Sequence, residues 1–231
     1  MILKQIVFLY LVILTIGTVA ANARLTVTQT LESPIAIVAA NVTFRCIFSP
    51  SDNSAVTVEW WKLGENEFLQ PGSDSRKRFL TQSGEASLQL LSVNLQDSAA
   101  YYCGVRYRGR GMTNGTGSSL VVHAPPMQPN IVSDGNSTTS LTLVCETDGF
   151  YPEDISVTWY KDDKNVFTVN KRKQLGRDGR GYQVSSSLEE TQPVRSGAVY
   201  ICVVSHLSLK SPIIAIYSVP VSKQGTIVLF L

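Results

Sequence analysis

The sequence predicts an all-β protein built from two tandem β-sandwiches, on three observations. Cys46 and Cys103 are 57 residues apart, and so are Cys145 and Cys202. Within both pairs a tryptophan follows the first cysteine at the same distance (Trp60, Trp159), and a tyrosine stands two positions before the second (Tyr101, Tyr200). Apolar residues alternate at a period of two in both halves, which buries one face of a strand and leaves the other wet, and no stretch after residue 24 keeps a helical period.

Taken in order, the chain opens on Lys4, then an uncharged apolar run to Ala20, then the small-x-small pattern Ala21-Asn22-Ala23. A spanning helix needs about 20 apolar residues, so residues 1–23 are expected to be a secretory signal peptide. The remainder of the 231-residue chain suits two sandwiches of about 100 residues each. In the first, residues 24–123, Val42, Phe44 and Cys46 share a strand face, as do Val56, Val58 and Trp60, Leu88 and Leu90, and Tyr101 and Cys103. Residues 124–128 are proline-rich and are expected to be a short, semi-rigid linker, because proline cannot donate to a sheet ladder. In the second, residues 129–221, the alternation returns in Leu141, Leu143 and Cys145, in Ile155, Val157 and Trp159, and in Tyr200, Cys202 and Val204. A tail, 222–231, ends in the apolar Thr226–Leu231. It is expected to be the start of a truncated membrane anchor, since a span or a glycolipid-anchor signal needs a longer apolar run.

The motifs inside this frame resemble the immunoglobulin superfamily. Asp97-Ser-Ala99-Ala-Tyr101-Tyr-Cys103 is similar to the D-x-A-x-Y-x-C signature of variable-type domains. The resemblance implies that Tyr101 closes a corner by bonding upstream backbone and that Arg78 pairs with Asp97 at the base of the sandwich. Gly115-Thr-Gly117-Ser-Ser-Leu120-Val-Val122 resembles a joining segment, whose glycines permit a bulge. Two departures stand out: Asn114 occupies the place of the joining-segment Phe or Trp, and the cysteine spacing is short. The region between Trp60 and Arg78 is therefore expected to be trimmed and to lack a C″ strand.

The second module resembles a constant-set domain in Cys145 through Gly149-Phe-Tyr-Pro152, in Ile155-Ser-Val-Thr-Trp159, in Tyr182–Leu188 and in Cys202-Val-Val-Ser-His206. The family often has the proline of the G-F-Y-P turn in cis, which implies the same for Pro152. The whole layout, variable-like then constant-set, is similar to signal-regulatory proteins, natural cytotoxicity receptors, antigen-receptor chains and costimulatory ligands. It implies the bridges Cys46–Cys103 and Cys145–Cys202, no free thiol and no covalent dimer, with Trp60, Trp159 and Tyr200 as structural residues.

Composition limits the chemistry. A net charge of +2 argues against a general polyanion or nucleic-acid binder. An even cysteine count in an exported chain favours disulfides. The cysteines are too dispersed, and His123 and His206 too few, for a zinc site. No acid, base or nucleophile constellation points to an enzyme, and no cofactor is expected. The basic triplets Arg76-Lys-Arg78 and Lys171-Arg-Lys173 read as a corner partner and a solvated connection.

The segment after Cys103 is the best candidate for function, with Arg106, Tyr107, Arg108 and Arg110 alternating with glycines. Arg and Tyr combine contact area with hydrogen bonding and are over-represented at binding hot spots. These four residues are read as a partner-binding loop. Three acceptor sequences, Asn41-Val-Thr43, Asn114-Gly-Thr116 and Asn136-Ser-Thr138, are expected to carry N-glycans, with Asn136 in a loop. The expected function is non-covalent recognition of a cell-surface protein through the first domain, at the plasma membrane or as a secreted protein. The alternatives are a lumenal accessory protein of tapasin-like type and a costimulatory-type ligand.

Overall fold

The structure, a computed structural model, describes residues 24–49, 55–137, 140–166, 169–176, 181–190 and 194–221. The expected signal peptide and the 222–231 tail lie outside the described residues. The chain divides into two compact units, Met1–Val121 and Val122–Leu231.

The first unit contains β1 (Thr26–Leu31), β2 (Ile35–Ile37), β3 (Val42–Ser49), β4 (Val56–Lys62), β5 (Lys77–Gln82), β6 (Glu85–Leu90), β7 (Ala99–Tyr107), β8 (Thr113–Asn114) and the greater part of β9 (Ser118–His123), whose end crosses the boundary. They form two sheets, β1-β3-β6-β5 and β2-β9-β7-β4, with β8 paired to β7. The Cys46–Cys103 disulfide joins β3 of one sheet to β7 of the other. Around it lie Phe44, Trp60, Leu88, Leu90, Tyr101, Val105 and Leu120, all with no more than a trace of surface exposed. The alternation expected from the sequence is the alternation observed: β3 reads buried at Val42, Phe44, Cys46 and Phe48. Between β4 and β5 there is no strand among the described residues, as the short cysteine spacing predicts.

The base of this sandwich departs from expectation. Asp97 is 5% exposed, and the guanidinium that reaches it belongs to Arg76, not Arg78. Arg76 donates to both carboxylate oxygens, at 2.8 and 3.3 Å. Arg78 sits inside β5 opposite Gln89, where the strand's alternation turns its side chain to solvent. Arg76 precedes the strand in a turn held by Asp74, which accepts from the Arg76 N–H at 2.9 Å, so strand parity does not bind it. The Asn94 N–H adds a bond to Asp97 at 2.8 Å, and the Tyr101 hydroxyl donates to the Asp97 carbonyl at 2.9 Å, closing the corner. Burial, then the nearby Asp97 charge, pushes the Tyr101 phenol above its ordinary pKa, so it stays a donor. Gln29 of β1 is a polar residue that sequence reading passes over. Its side chain is buried, donates to the Tyr101 carbonyl at 2.7 Å and accepts from the Cys103 N–H at 3.0 Å.

The second unit contains β10 (Asn130–Ser137), β11 (Ser140–Phe150), β12 (Ile155–Lys161), β13 (Lys164–Val166), β14 (Val169–Leu175), β15 (Tyr182–Glu190), β16 (Val199–His206) and β17 (Ile213–Ser218). Its sheets are β10-β11-β15-β14 and β13-β12-β16-β17, bridged by Cys145–Cys202. Trp159 is fully buried and donates from Nε1 to the Ser186 hydroxyl at 3.1 Å, so neither polar atom is left unpaired. The Tyr200 hydroxyl bonds the Glu190 carboxylate at 3.0 Å rather than backbone. Tyr151–Pro152 is cis. His206 holds the Pro152 carbonyl at 2.9 Å and the Ser208 hydroxyl at 2.6 Å through its two ring nitrogens. Residues 124–128, expected as a connector, are laced to this unit: Ala124 bridges Tyr151, and the Met127 N–H donates to the Asp148 carbonyl. Lys171-Arg-Lys173, read as a solvated connection, lies in β14, an edge strand. Its two lysines reach across to the Ile155 carbonyl and to Glu153, a device that blunts an edge.

The Arg76 and Arg78 variants separate the two corner assignments. Arg76→Ala should cost about 1–2 kcal/mol, allowing for solvent screening of a partly exposed guanidinium. Arg78→Ala should stay within about 0.5 kcal/mol of the parent. Urea denaturation midpoints read the difference directly, and equal losses would return the corner to Arg78.

Candidate partner-binding surface

The outer face of the β2-β9-β7-β4 sheet follows from the inner one. Trp60 pairs with Cys103 and both are buried, so their neighbours Trp61 and Tyr102, which also pair, must point outward. Their rings stack at 5.5 Å with an interplanar angle of 11°, and Phe68 meets Trp61 edge-on at 5.9 Å. Phe68 is 38% exposed and Leu63, at the end of the same row, 62%. Such stacked and edge-on pairs contribute beyond their buried area.

Glycines make room for this layer. At Gly104 a Cβ would collide with the Met112 thioether, so Met112 lies flat on the sheet beside Trp61. Gly117 has φ of +82°, and a Cβ there would come within 2.5 Å of the Tyr102 ring. The joining-like glycines therefore do more than permit a bulge. Gly115 leaves space over Gln29 and the Cys103 sulfur, and Gly117 seats Tyr102 against Trp61. A shallow recess lies between Trp61, Phe68 and Met112, with Glu65, Asn66 and Glu67 on its rim.

The candidate loop is largely a hairpin. β7 runs through Tyr107, and β8 returns with Thr113 opposite Val105 and Asn114 opposite Gly104. At the tip, Arg108 and Gly109 both have positive φ, 50° and 67°, and the Arg110 N–H donates to the Tyr107 carbonyl at 3.1 Å. Two left-handed residues in succession match the twist of the flanking strands. Arg106, read as a loop residue, is on β7 and pairs with Glu59 of β4 at 3.3 Å. Parity explains the correction: Arg106 shares the outer face with Glu59, Trp61 and Tyr102. Arg108 lays its guanidinium over the Tyr107 ring at 5.1 Å, and Arg108 and Arg110 are exposed.

Asn41 and Asn114 are exposed. Asn41 accepts from the Ser92 N–H through its carbonyl oxygen, at 2.9 Å, which leaves the amide nitrogen available. Asn136 was expected in a loop and instead lies in β10, where the register shifts between Asp134 and Ser137. The sequence reading singled out the arginines and Tyr107 but missed Trp61, Phe68, Tyr102 and Met112. The Trp60-Trp61 pair was the available signal, because two adjacent aromatics on a strand cannot share a face.

Comparison with known proteins agrees with this geometry. Residues 128–209 match the model of the immunoglobulin C1-set domain. The tapasin-related protein of Mus musculus is 26% identical over 85% of this chain and 47% of its own length. The natural cytotoxicity triggering receptor 3 ligand 1 of Homo sapiens is 32% identical over 57% of this chain and 31% of its own length. The chain thus spans less than half the length of these curated relatives. The crystal structure of bovine butyrophilin superposes with a TM-score of 0.60 at 18% identity, covering 86% of this chain and all of that one, which speaks to the fold.

Two glycine substitutions test the packing. Gly117→Ala should destabilise by about 2–4 kcal/mol, combining ring displacement with left-handed strain. Gly109→Ala meets no neighbouring atom and should cost only about 1 kcal/mol. Thermal melts followed by tryptophan fluorescence would show both, and a red shift in Gly117→Ala alone would mark the opened Trp61–Tyr102 stack.

Proposed function

We propose that this chain, which belongs to the immunoglobulin superfamily, is an immune-type recognition protein that binds a protein partner non-covalently through the sheet and hairpin of its first unit. The observation that carries the reading is the outward-facing layer of Trp61, Tyr102, Phe68 and Met112, half-buried except for the exposed Phe68 and flanked by the exposed Arg108 and Arg110. Aromatic and arginine side chains are what protein interfaces concentrate. The role is binding rather than catalysis, with no cofactor. The relation to a natural cytotoxicity receptor ligand supports a place on the extracellular face of the membrane or in the medium.

A second reading has its own support, since the tapasin-related relatives cover 85% of this chain. On that reading the partner is met inside the secretory pathway. Where the full chain goes in transfected cells separates the two: surface or medium with mature glycans supports the first, and lumenal retention with immature glycans the second.

The test of the site uses the chain expressed in eukaryotic cells, tagged and multimerised, as a stain for leukocytes. Trp61→Ala and the Arg108→Glu, Arg110→Glu double variant should lose at least about 1–2 kcal/mol of binding each, with the double variant losing no more stability than the Arg108–Tyr107 contact supplies, about 1 kcal/mol. Arg172→Glu on the second unit should stain as the parent does. Loss confined to the second-unit variant would overturn the assignment.

Glycosylation follows from export and exposure. Enzymatic removal of N-glycans should lower the mass by at least two glycans, at Asn41 and Asn114, and glycopeptide mapping should place them. An unchanged mass would count against passage through the secretory pathway.

A further inference from the structure

The charges on the outer face of the first unit's sheet are segregated along the strands. Arg106, Arg108 and Arg110 cluster where β4 begins and β7 ends, since the Arg108 N–H donates to the Ala55 carbonyl. Glu65 and Glu67 stand at the other end, beyond Lys62, where the Leu63 N–H meets the Ala100 carbonyl. Local pairing consumes only part of this. Arg106 is held by Glu59, and Glu65 lies 3.4 Å from Lys62, which also donates to the Gln96 carbonyl. Among the described residues Arg108, Arg110 and Glu67 have no ion-pair partner, and all three are exposed. Between the two poles lies the apolar ground of Trp61, Tyr102, Phe68 and Met112.

We infer that this face pairs with the same face of a second copy in an antiparallel, two-fold arrangement, with the arginine end of each sheet on the glutamate end of the other. The inference rests on the reading of this face as a binding surface. An isologous pair must be self-complementary. With the two-fold axis along the strands, Arg108 and Arg110 would face their own copies; with the axis in the interface plane and perpendicular to the strands, they face Glu65 and Glu67. Apolar contact at the centre is indifferent to orientation, so the poles decide it, because electrostatic complementarity sets register and excludes the like-charge alternative. Asn114, opposite Gly104 in the register and exposed, borders the same face. A glycan there obstructs the pair.

Sedimentation velocity of the full chain over micromolar to millimolar concentrations tests this. The baseline is Thr116→Ala, which keeps Asn114 but removes its glycan acceptor sequence. The expected result is a reversible dimer that weakens with added salt and weakens further when the Asn114 glycan is present. On the Thr116→Ala background, Arg108→Glu with Arg110→Glu, and separately Glu65→Lys with Glu67→Lys, should each weaken dimerisation by about tenfold or more. An equimolar mixture of the two variants should form a heterodimer at least as tight as the parent pair. Recovery on mixing also shows that both variants are folded; should either melt early, Arg108→Gln with Arg110→Gln and Glu65→Gln with Glu67→Gln replace them, and both should weaken the pair. A parent chain that stays monomeric throughout overturns the inference, and so does a dimer indifferent to both sets of charge changes. Leukocyte staining by such a monomer would leave the recognition reading standing, whereas loss of staining by Trp61→Ala together with loss of dimer ties the two to one face.

Discussion

The disulfide between Cys46 and Cys103 lies between two sheets, and its position sets the side on which every residue of β4 and β7 falls. Once Cys103 faces the core, Tyr101 and Val105 must follow it inward, and Tyr102, Gly104 and Arg106 must lie on the outer face, where Met112 covers Gly104. β4 is bound to the same choice through its register, with Trp60 opposite Cys103. A one-residue slip would place Trp61 and Tyr102 in the core and expose Trp60, which the buried bridge forbids. The aromatic surface is therefore the obverse of the core, arising from one covalent constraint and the pleat of the strands.

The second unit has the same constraint and presents a different face. Trp159 again lies opposite Cys202, and the outward neighbours are Tyr160 and Ile201. Around them stand Val203 and, on β17, Ile214 and Ile216, the last two exposed. Here the outer layer is aliphatic and β-branched, with Tyr160 as its aromatic member, and the charges at the start of β16, Asp162 and Arg195, pair with each other. A patch of this kind offers area without orientation. The first unit combines area with a direction, and direction is what discriminates among partners.

How much of this was legible in the sequence depended on whether a feature is set by period or by turn. The sandwiches and the buried tryptophans follow from spacing and alternation, which act over whole strands, whereas the bridges and the Tyr101 corner came from the resemblance to immunoglobulin domains. Arg76 was misassigned because its reach to Asp97 depends on the turn at Asp74, a local geometry that residue counting cannot see. Arg106 was placed in a loop because glycines and arginines look irregular, whereas the pairing of Val56 with Tyr107 carries β7 one residue beyond it. Asn136 shows the same weakness, since polar residues near a register shift resemble a loop. Gln29 was invisible for another reason: a buried amide needs partners from distant strands, and those are known only once β1 and β7 are adjacent. Trp61 was legible but unread, for the dipeptide Trp60-Trp61 on a strand already requires one ring in water.

On the proposed reading, the hairpin tip limits the entropic cost of recognition. A left-handed arginine costs about 1 kcal/mol in backbone strain, so Arg108 would not hold φ of 50° unaided. Its N–H is anchored on the Ala55 carbonyl at 2.7 Å, and its guanidinium rests on the Tyr107 ring. Each contact is worth roughly the strain it opposes. The turn is thereby held in one shape before any partner arrives, and Arg108 and Arg110 project from a fixed base instead of a wandering loop. Ordering a free loop of this length would draw on the interaction energy at every binding event, at about 1 kcal/mol or more per residue. The strained turn pays that cost once, on folding. On the proposed reading, long cations on a fixed base suit a surface that finds its counter-charge quickly and holds it in one orientation.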